Sequence, residues 1–357
     1  MRRKVILYGP LPPPYGGVSV YMSFLAEHLR GRVARVWGVL GDRTKNDPLV
    51  RRVRHRRLGV VPALLAEARG ARILDATHFH LEHPHRLLLP VWLAAKRLLG
   101  FEWHKNVLDG TLPARHREFG PARKRLFRLA ARNVSEFVVV SDELRRWLRD
   151  EVGVTQPVHV IPCLVPVPAA ALAAPLTEAT ARALRPYAGR ARRVCSVGVF
   201  IPPYGFLDAA RAVETLRRET GEDIGLALLD GTFARDEGYR REVLAGRDWI
   251  TVVENVPNSD VYQVFRQSDC FVRGVEREGY GISRVEATWA GLPVVATNAG
   301  ETRGMLTYEF GDVEGLARQL RRALFERPAA EIERWSAEFG REAAANLRAL
   351  QEVLGLD

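Results

Sequence analysis

The sequence predicts an α/β protein made of two Rossmann-like, doubly wound domains that face each other across a cleft. Three observations predict it. A length of 357 residues is too great for one small core and suits two of ordinary size. Short apolar runs alternate with helix-period stretches in two successive series, the pattern of a parallel sheet covered by helices on both faces. Between Pro162 and Pro186 the chain runs through Leu164-Val165-Pro166-Val167-Pro168-Ala169-Ala170, a Pro- and Ala-rich passage with the composition of a linker. The boundary is therefore placed between domains 1–165 and 166–330, with 331–357 as a terminal helix bracing the two.

The first series opens as strand, loop and helix: Val5-Ile6-Leu7-Tyr8, then a Gly- and Pro-rich turn from Gly9 to Gly17, then an apolar-periodic run from Val18 to Leu29. Further strands are expected at Val33 to Leu40, Arg72 to Thr77, Asn106 to Asp109, Phe137 to Val140 and Val158 to Ile161. Helical patterns fall at Val60 to Ala68, Arg86 to Leu99, Ala122 to Ala131 and Glu143 to Glu151. The second series has strands near Arg193 to Val197, Ile224 to Leu229, Ile250 to Val253, Cys270 to Arg273 and Val294 to Thr297. Its helices are near Phe206 to Thr220, Asp260 to Gln267, Ser283 to Ala290 and Val313 to Leu324, followed by the long pattern from Ala330 to Leu354 with Trp335 and Phe339 on its apolar side.

Hydrophobic residues at 47% and charged residues at 27% are ordinary for a globular protein and exclude disordered, collagen-like and coiled-coil classes. The best apolar run, Leu87 to Ala95, is bounded by Arg86 and Lys96-Arg97 and falls short of the roughly 18 residues that a membrane span needs. Behind the basic N-terminus only Val5 to Tyr8 is apolar before Gly9, so no signal segment is read and a cytoplasmic location is expected. Cys163, Cys195 and Cys270 are too scattered for a disulfide framework and read as buried small hydrophobes.

Charge is unevenly spread. Residues 1–165 carry 29 Lys and Arg against 14 Asp and Glu, while the whole chain is only +11, so the remainder is mildly acidic. A basic first domain suggests an anionic partner. One basic cluster is Arg51 to Arg57. In Arg115 to Arg132, the residues Arg123, Lys124, Arg125, Arg128 and Arg132 surround Leu126, Phe127 and Leu129, which reads either as contact with the inner face of an anionic membrane or as a solvated helix face. No nucleic-acid partner is expected, because no recognition motif accompanies the charge. The run His78-Phe79-His80-Leu81-Glu82-His83-Pro84-His85 puts His78 and His80 on one face of an expected strand, but no second ligand cluster joins it. It reads as a loop lining the acceptor side of the cleft or as a polar strand end, and no metal is expected.

The chemistry-bearing segment is Arg277-Glu278-Gly279-Tyr280-Gly281-Ile282-Ser283-Arg284-Val285-Glu286-Ala287. Two glycines precede a serine that starts a helix, so the amides of Gly281, Ile282 and Ser283 converge on one point with the helix dipole behind them, a site for an anion. Glu278 before the helix and Glu286 one turn inside it flank that point. The set suits a sugar nucleotide: amides for the diphosphate and a carboxylate each for sugar and ribose hydroxyls. Ser283 to Glu286 also has the spacing of a capping box.

The segment resembles the E-x7-E signature of retaining glycosyltransferases of the GT-B fold, family 4 type, also called glycosyl transferases group 1. Seven residues separate Glu278 from Glu286, and Gly291-Leu292-Pro293-Val294-Val295-Ala296 and Asn298-Ala299-Gly300-Glu301 continue the pattern. Gly16-Gly17, Ser141-Asp142-Glu143 and Ile161-Pro162 extend the resemblance over most of the chain. It implies metal-independent transfer of a hexose-type sugar, with retention, from a nucleotide-diphosphate-sugar to a lipid-linked or polysaccharide acceptor in cell-envelope or exopolysaccharide synthesis. The nucleotide sugar is a substrate, and no cofactor is implied. By the same resemblance Glu278 contacts the transferred sugar, Glu286 the ribose, and Gly16 and Gly17 let the backbone approach donor phosphate and acceptor. The first domain would bind the acceptor and the second the nucleotide sugar.

The sequence departs from the family pattern in three places. Val199 and Tyr204 stand where Arg and Lys grip the diphosphate, leaving Arg273, Arg277 or Arg303 as candidate replacements. Asp109 or Thr111 stands where a histidine is usual, and Asp109 is read as a partner for a sugar hydroxyl. Trp289 replaces a smaller residue and reads as core. The missing clamp keeps open a catalytically degenerate GT-B protein that binds or regulates a partner; a nucleotide-sugar epimerase of the same fold is a weaker alternative. A nicotinamide-dependent oxidoreductase is disfavoured, since neither first βα turn contains G-x-G-x-x-G.

Overall fold

The computed structural model describes residues 4–41, 46–54, 59–78, 80–81, 88–232, 234–326 and 329–356. The chain divides into two compact units, one of Met1–Pro13, Val18–Val165 and Ala344–Asp357, the other of Pro14–Gly17 and Pro166–Ala343.

Among the described residues the first unit holds a parallel sheet in the order β3-β2-β1-β4-β5-β6-β7. Its strands are β1 Val5–Gly9, β2 Arg35–Gly38, β3 Val50–Arg52, β4 Arg72–Asp75, β5 Glu102–Val107, β6 Glu136–Val139 and β7 Val158–Val160. The apolar β1 is buried throughout and lies between β2 and β4, with Tyr8 opposite both Trp37 and Asp75. Several features depart from expectation. β3 runs through the start of the basic cluster at Arg51 and Arg52, and residues 55–57 of that cluster lie outside the described residues. Its charge is tolerated because Arg51 and Arg35 both pair with Glu67, at 3.0 and 3.3 Å, and Glu67 also accepts from the Trp37 indole at 2.6 Å.

β5 begins at Glu102, well before the expected Asn106, because its polar residues His104 and Lys105 are buried rather than exposed. Lys105 Nζ lies 3.7 Å from the Asp75 carboxylate, donates to the Asp75 carbonyl at 3.2 Å, and also donates to the Thr77 carbonyl. Asp75 accepts in addition from Thr77 N, Thr77 Oγ1 and Trp103 Nε1. Removing one member of a buried pair strands the other. Lys105→Met is therefore expected to destabilise the protein by about 3 kcal/mol, which urea titration of the two proteins measures directly.

β4 ends at Asp75, so His78 and His80 share no strand face. His80 is buried, its ring stacked 4.0 Å from that of Trp92, and burial pushes its pKa down to about 4. It is a core residue. His83 and His85 lie outside the described residues, among which no three His, Cys, Asp or Glu are grouped to hold a metal. The basic helix spans Pro121–Asn133; it buries Phe127, Ala130 and Ala131 and leaves Leu126 and Leu129 exposed. No helix among the described residues is long and apolar enough to cross a membrane.

The second unit repeats the topology as β10-β9-β8-β11-β12-β13. The strands are β8 Arg192–Gly198, β9 Ile224–Asp230, β10 Ile250–Glu254, β11 Cys270–Arg273, β12 Val294–Thr297 and β13 Leu306–Tyr308. β13 goes beyond the expected strands, since its three residues carry no readable alternation. The helix Glu237–Leu244 is not legible in the sequence because charged residues dominate it. The Pro/Ala-rich passage is more ordered than a linker: it carries helices Ala169–Ala173, Glu178–Ala183 and Arg185–Ala188. Thr177 N and Oγ1 donate to the buried Asp260 carboxylate, and buried Tyr187 shares a 2.6 Å hydrogen bond with Ser268. The final helix, Ala329–Leu354, contributes its residues to the second unit as far as Ala343 and to the first thereafter.

Candidate active site

In the second sheet β8 lies between β9 and β11, so the chain reverses its direction of travel across the sheet there. The carboxyl ends of β8 and β11 therefore border a topological switch point, where open α/β sheets take their ligands. Loops 199–205, 274–281 and 298–305 leave the ends of β8, β11 and β12. The first two meet backbone to backbone: Gly205 has φ of 65°, and a Cβ there would collide with the Gly274 carbonyl oxygen.

Arg273 ends β11 and is almost buried. Its Nε and Nη2 both reach Glu278 Oε2, at 2.8 and 2.7 Å, and its Nη1 donates to the Val197 carbonyl at the end of β8 at 2.6 Å. The guanidinium carbon lies 5.2 Å from the centre of the Tyr204 ring. Burial opposes its charge, but Glu278 and Tyr204 outweigh burial and the pKa rises. Arg273 thus reaches the β8 loop, beside one of the two positions where the sequence lacks the cationic clamp. Val199 is buried in the core.

Gly281, with φ of 88°, is the N-cap of the helix Ile282–Trp289, and no side chain caps it. The capping box of Ser283 and Glu286 does not form. The helix begins one residue earlier than expected, leaving the Gly281, Ile282 and Ser283 amides in the first turn, where a helix has no acceptors of its own. Glu286 lies deeper in the helix. It is buried, accepts a 2.5 Å hydrogen bond from Tyr262 Oη, and burial raises its pKa to about 7 against the lowering effect of that bond. Tyr262 is held by the helix Asn258–Arg266.

Arg284 was singled out by the sequence only as part of the capping box. It is fully buried on the same helix, and its Nη1 donates to the carbonyls of Thr297, Ala299 and Glu301, stitching the helix to the loop after β12. Its Nη2 is 4.0 Å from Glu278 Oε2, and burial pulls its pKa down to about 10. The available signal was a lone arginine between apolar helix positions inside the E-x7-E segment.

The other candidates have partners of their own. Arg303 pairs with Glu301 at 2.7 Å and with Glu342 at 2.6 Å, and lies over the rings of Trp335 and Phe339, so it ties the terminal helix to this unit. Its guanidinium is held there by both carboxylates. Arg277 is exposed beside Glu276. Asp109 follows β5 in the first unit, where it accepts from Thr111 N and Oγ1 at 2.8 and 2.7 Å and pairs with Arg115. Its carboxylate is therefore tied into the turn that opens the helix Leu112–Arg117. Gly16 and Gly17 group with the second unit, and Gly17 is also the first residue of the helix Gly17–His28. Trp289 is half-buried; its carbonyl accepts from Ser336.

The model of Glycosyltransferase Family 4 matches residues 15–167, and that of Glycosyl transferases group 1 matches residues 182–332. No curated protein matches the chain by sequence. Solved structures share the fold over its whole length. The Anabaena Alr3699/HepE structure, in complex with UDP and glucose, is 15% identical, covers 99% of each chain and has a TM-score of 0.77. The trehalose-phosphate synthase of Burkholderia xenovorans, in complex with glucose-6-phosphate, is 14% identical with a TM-score of 0.71, covering 99% of this chain and 100% of its own. Sucrose-phosphate synthase from Thermosynechococcus elongatus is 18% identical with a TM-score of 0.66, covering 99% and 97%. With both halves matched and the two Rossmann-like units in place, the chain belongs to the GT-B glycosyltransferases of the family 4, group 1 type.

Proposed function

We propose that the protein transfers a hexose-type sugar, with retention, from a nucleotide-diphosphate-sugar to a lipid-linked or polysaccharide acceptor in cell-envelope or exopolysaccharide synthesis. The observation that carries this reading is the Arg273–Glu278 pair at the switch point, followed by the uncapped helix start at Gly281, with buried Glu286 on that same helix. The helix-start amides and Arg273 bind the diphosphate, Glu286 accepts from ribose hydroxyls and Glu278 from the sugar. The bond from the anomeric carbon to the diphosphate breaks and the bond to the acceptor oxygen forms on the same face. The acceptor proton passes to the departing phosphate oxygen, so no metal or separate base is required. Arg273 stabilises charge developing on the leaving group.

A catalytically degenerate partner protein is favoured by one observation, the Val199 and Tyr204 that replace the usual cations. Arg273 beside Tyr204 weighs against it. Calorimetric titration with UDP, GDP and ADP decides between them. Selective binding of one diphosphate, weakened about a hundredfold in Glu286→Ala, together with donor turnover supports the enzyme. A cooperatively melting protein that binds none supports the degenerate reading.

The acceptor would be met in the cytoplasm at an anionic membrane. Leu126 and Leu129 are exposed between Arg125, Arg128 and Arg132 on one helix, the composition of a surface-lying basic amphipathic segment. Each cation near an anionic leaflet contributes about 1 kcal/mol. Arg125→Glu/Arg128→Glu/Arg132→Glu is therefore expected to weaken sedimentation with phosphatidylserine vesicles by about a hundredfold. Unchanged sedimentation would mean that this face is simply solvated.

A further inference from the structure

Resting on the diphosphate site just described, we propose that Arg284 is a positioning residue that receives the Glu278 carboxylate when a diphosphate engages Arg273. Two guanidiniums share one carboxylate here. Arg273 holds Glu278 Oε2 through two nitrogens, at 2.8 and 2.7 Å, while Arg284 Nη2 stands 4.0 Å from that oxygen. Arg284 Nε and Nη2 are sealed from solvent and have no hydrogen-bond acceptor among the described residues. Burying a charged donor without an acceptor is costly, and the cost persists only where some other state of the site relieves it.

The surrounding groups do not supply that relief. The Glu301 carboxylate is engaged by Arg303, and the buried Tyr308 hydroxyl is itself without a partner among the described residues. The trio of Arg273, Arg284 and Glu278 therefore keeps an excess positive charge at the switch point. An entering diphosphate carries more charge than a carboxylate and matches the guanidinium fork equally well, so it displaces Glu278 from Arg273. A movement of about 1 Å then brings Glu278 within hydrogen-bond distance of Arg284 Nη2. Arg284 is anchored to three carbonyls and does not follow, so it fixes where the carboxylate stands while the donor sugar is bound.

Epistasis in diphosphate binding tests the exchange, using whichever of UDP, GDP and ADP the wild type binds. Glu278→Gln removes the charge with which this side chain competes for Arg273, leaving only a neutral acceptor that a diphosphate displaces readily, and is expected to tighten binding about threefold or more. Arg284→Gln leaves Glu278 with nowhere to go and is expected to weaken binding about tenfold. In the Glu278→Gln background the same Arg284→Gln change is expected to cost less than twofold. An equal loss in both backgrounds overturns the exchange while leaving the donor-site reading intact. If wild type binds none of the three, that reading falls and the exchange falls with it. Should Arg284→Gln fail to melt cooperatively, Glu278→Gln alone decides: unchanged or weaker binding overturns the proposal.

Discussion

Glu278→Gln is expected to lower the rate of sugar transfer about a thousandfold while the protein still binds nucleoside diphosphate and melts within a few degrees of wild type. The size follows from the charge removed. A carboxylate that meets the sugar as positive charge develops at its anomeric carbon acts mainly in the transition state, and losing one such preorganised contact in a shielded site costs two to three powers of ten. The fold survives because the glutamine oxygen still accepts from Arg273, which keeps its bond to the Val197 carbonyl. Steady-state kinetics with radiolabelled donor, set beside thermal melts, separates the two effects. Near-wild-type kcat in a stable variant would remove Glu278 from the reaction.

Glu286 carries the second large effect, and its sign changes with the property measured. Burial raises its pKa to about 7, above the ordinary 4.5. Between those values the unfolded chain is ionised and the folded one protonated, so the native state binds more protons and stability falls as pH rises, levelling off above about 7. The loss amounts to at most about 3 kcal/mol. Glu286→Gln removes it, so the variant is expected to melt above wild type at pH 8 and level with it below pH 5. Nucleotide binding moves the other way. Only the ionised carboxylate accepts from both ribose hydroxyls, so wild-type affinity is expected to rise about tenfold from pH 6 to pH 8. Glu286→Ala should weaken binding about a hundredfold at pH 8 and lose this pH dependence, since two hydrogen bonds to a charged group disappear together. A flat binding profile in wild type, measured calorimetrically, would separate Glu286 from the ribose.

Apolar strands were legible in the sequence because burial on both faces of a parallel sheet leaves continuous hydrophobic runs, as in β1, β9 and β12. β3 and the first half of β5 were not legible, because their arginines, histidine and lysine carry the signature of a surface. The position of Glu67 beside Arg51, and of Asp75 beside Lys105, makes those charges compatible with a sheet. The histidine run misled for the same reason: His80 is polar in sequence but ring-stacked in the core.

The sequence by itself determined the α/β class, the two successive domains and the E-x7-E segment with its glycine before a helix, all of which depend on residues close together in the chain. Tertiary structure alone decided what the charged groups touch. It joined Arg273 to Glu278 and the end of β8, placed Glu286 against Tyr262, tied Arg303 to the terminal helix, and buried Arg284 with two donor nitrogens unmet among the described residues. The physical reason is that the energy of an ion depends on its distance to other charges and its exposure to water. Both are set by strands and loops far apart in the chain, so spacing along it cannot express them.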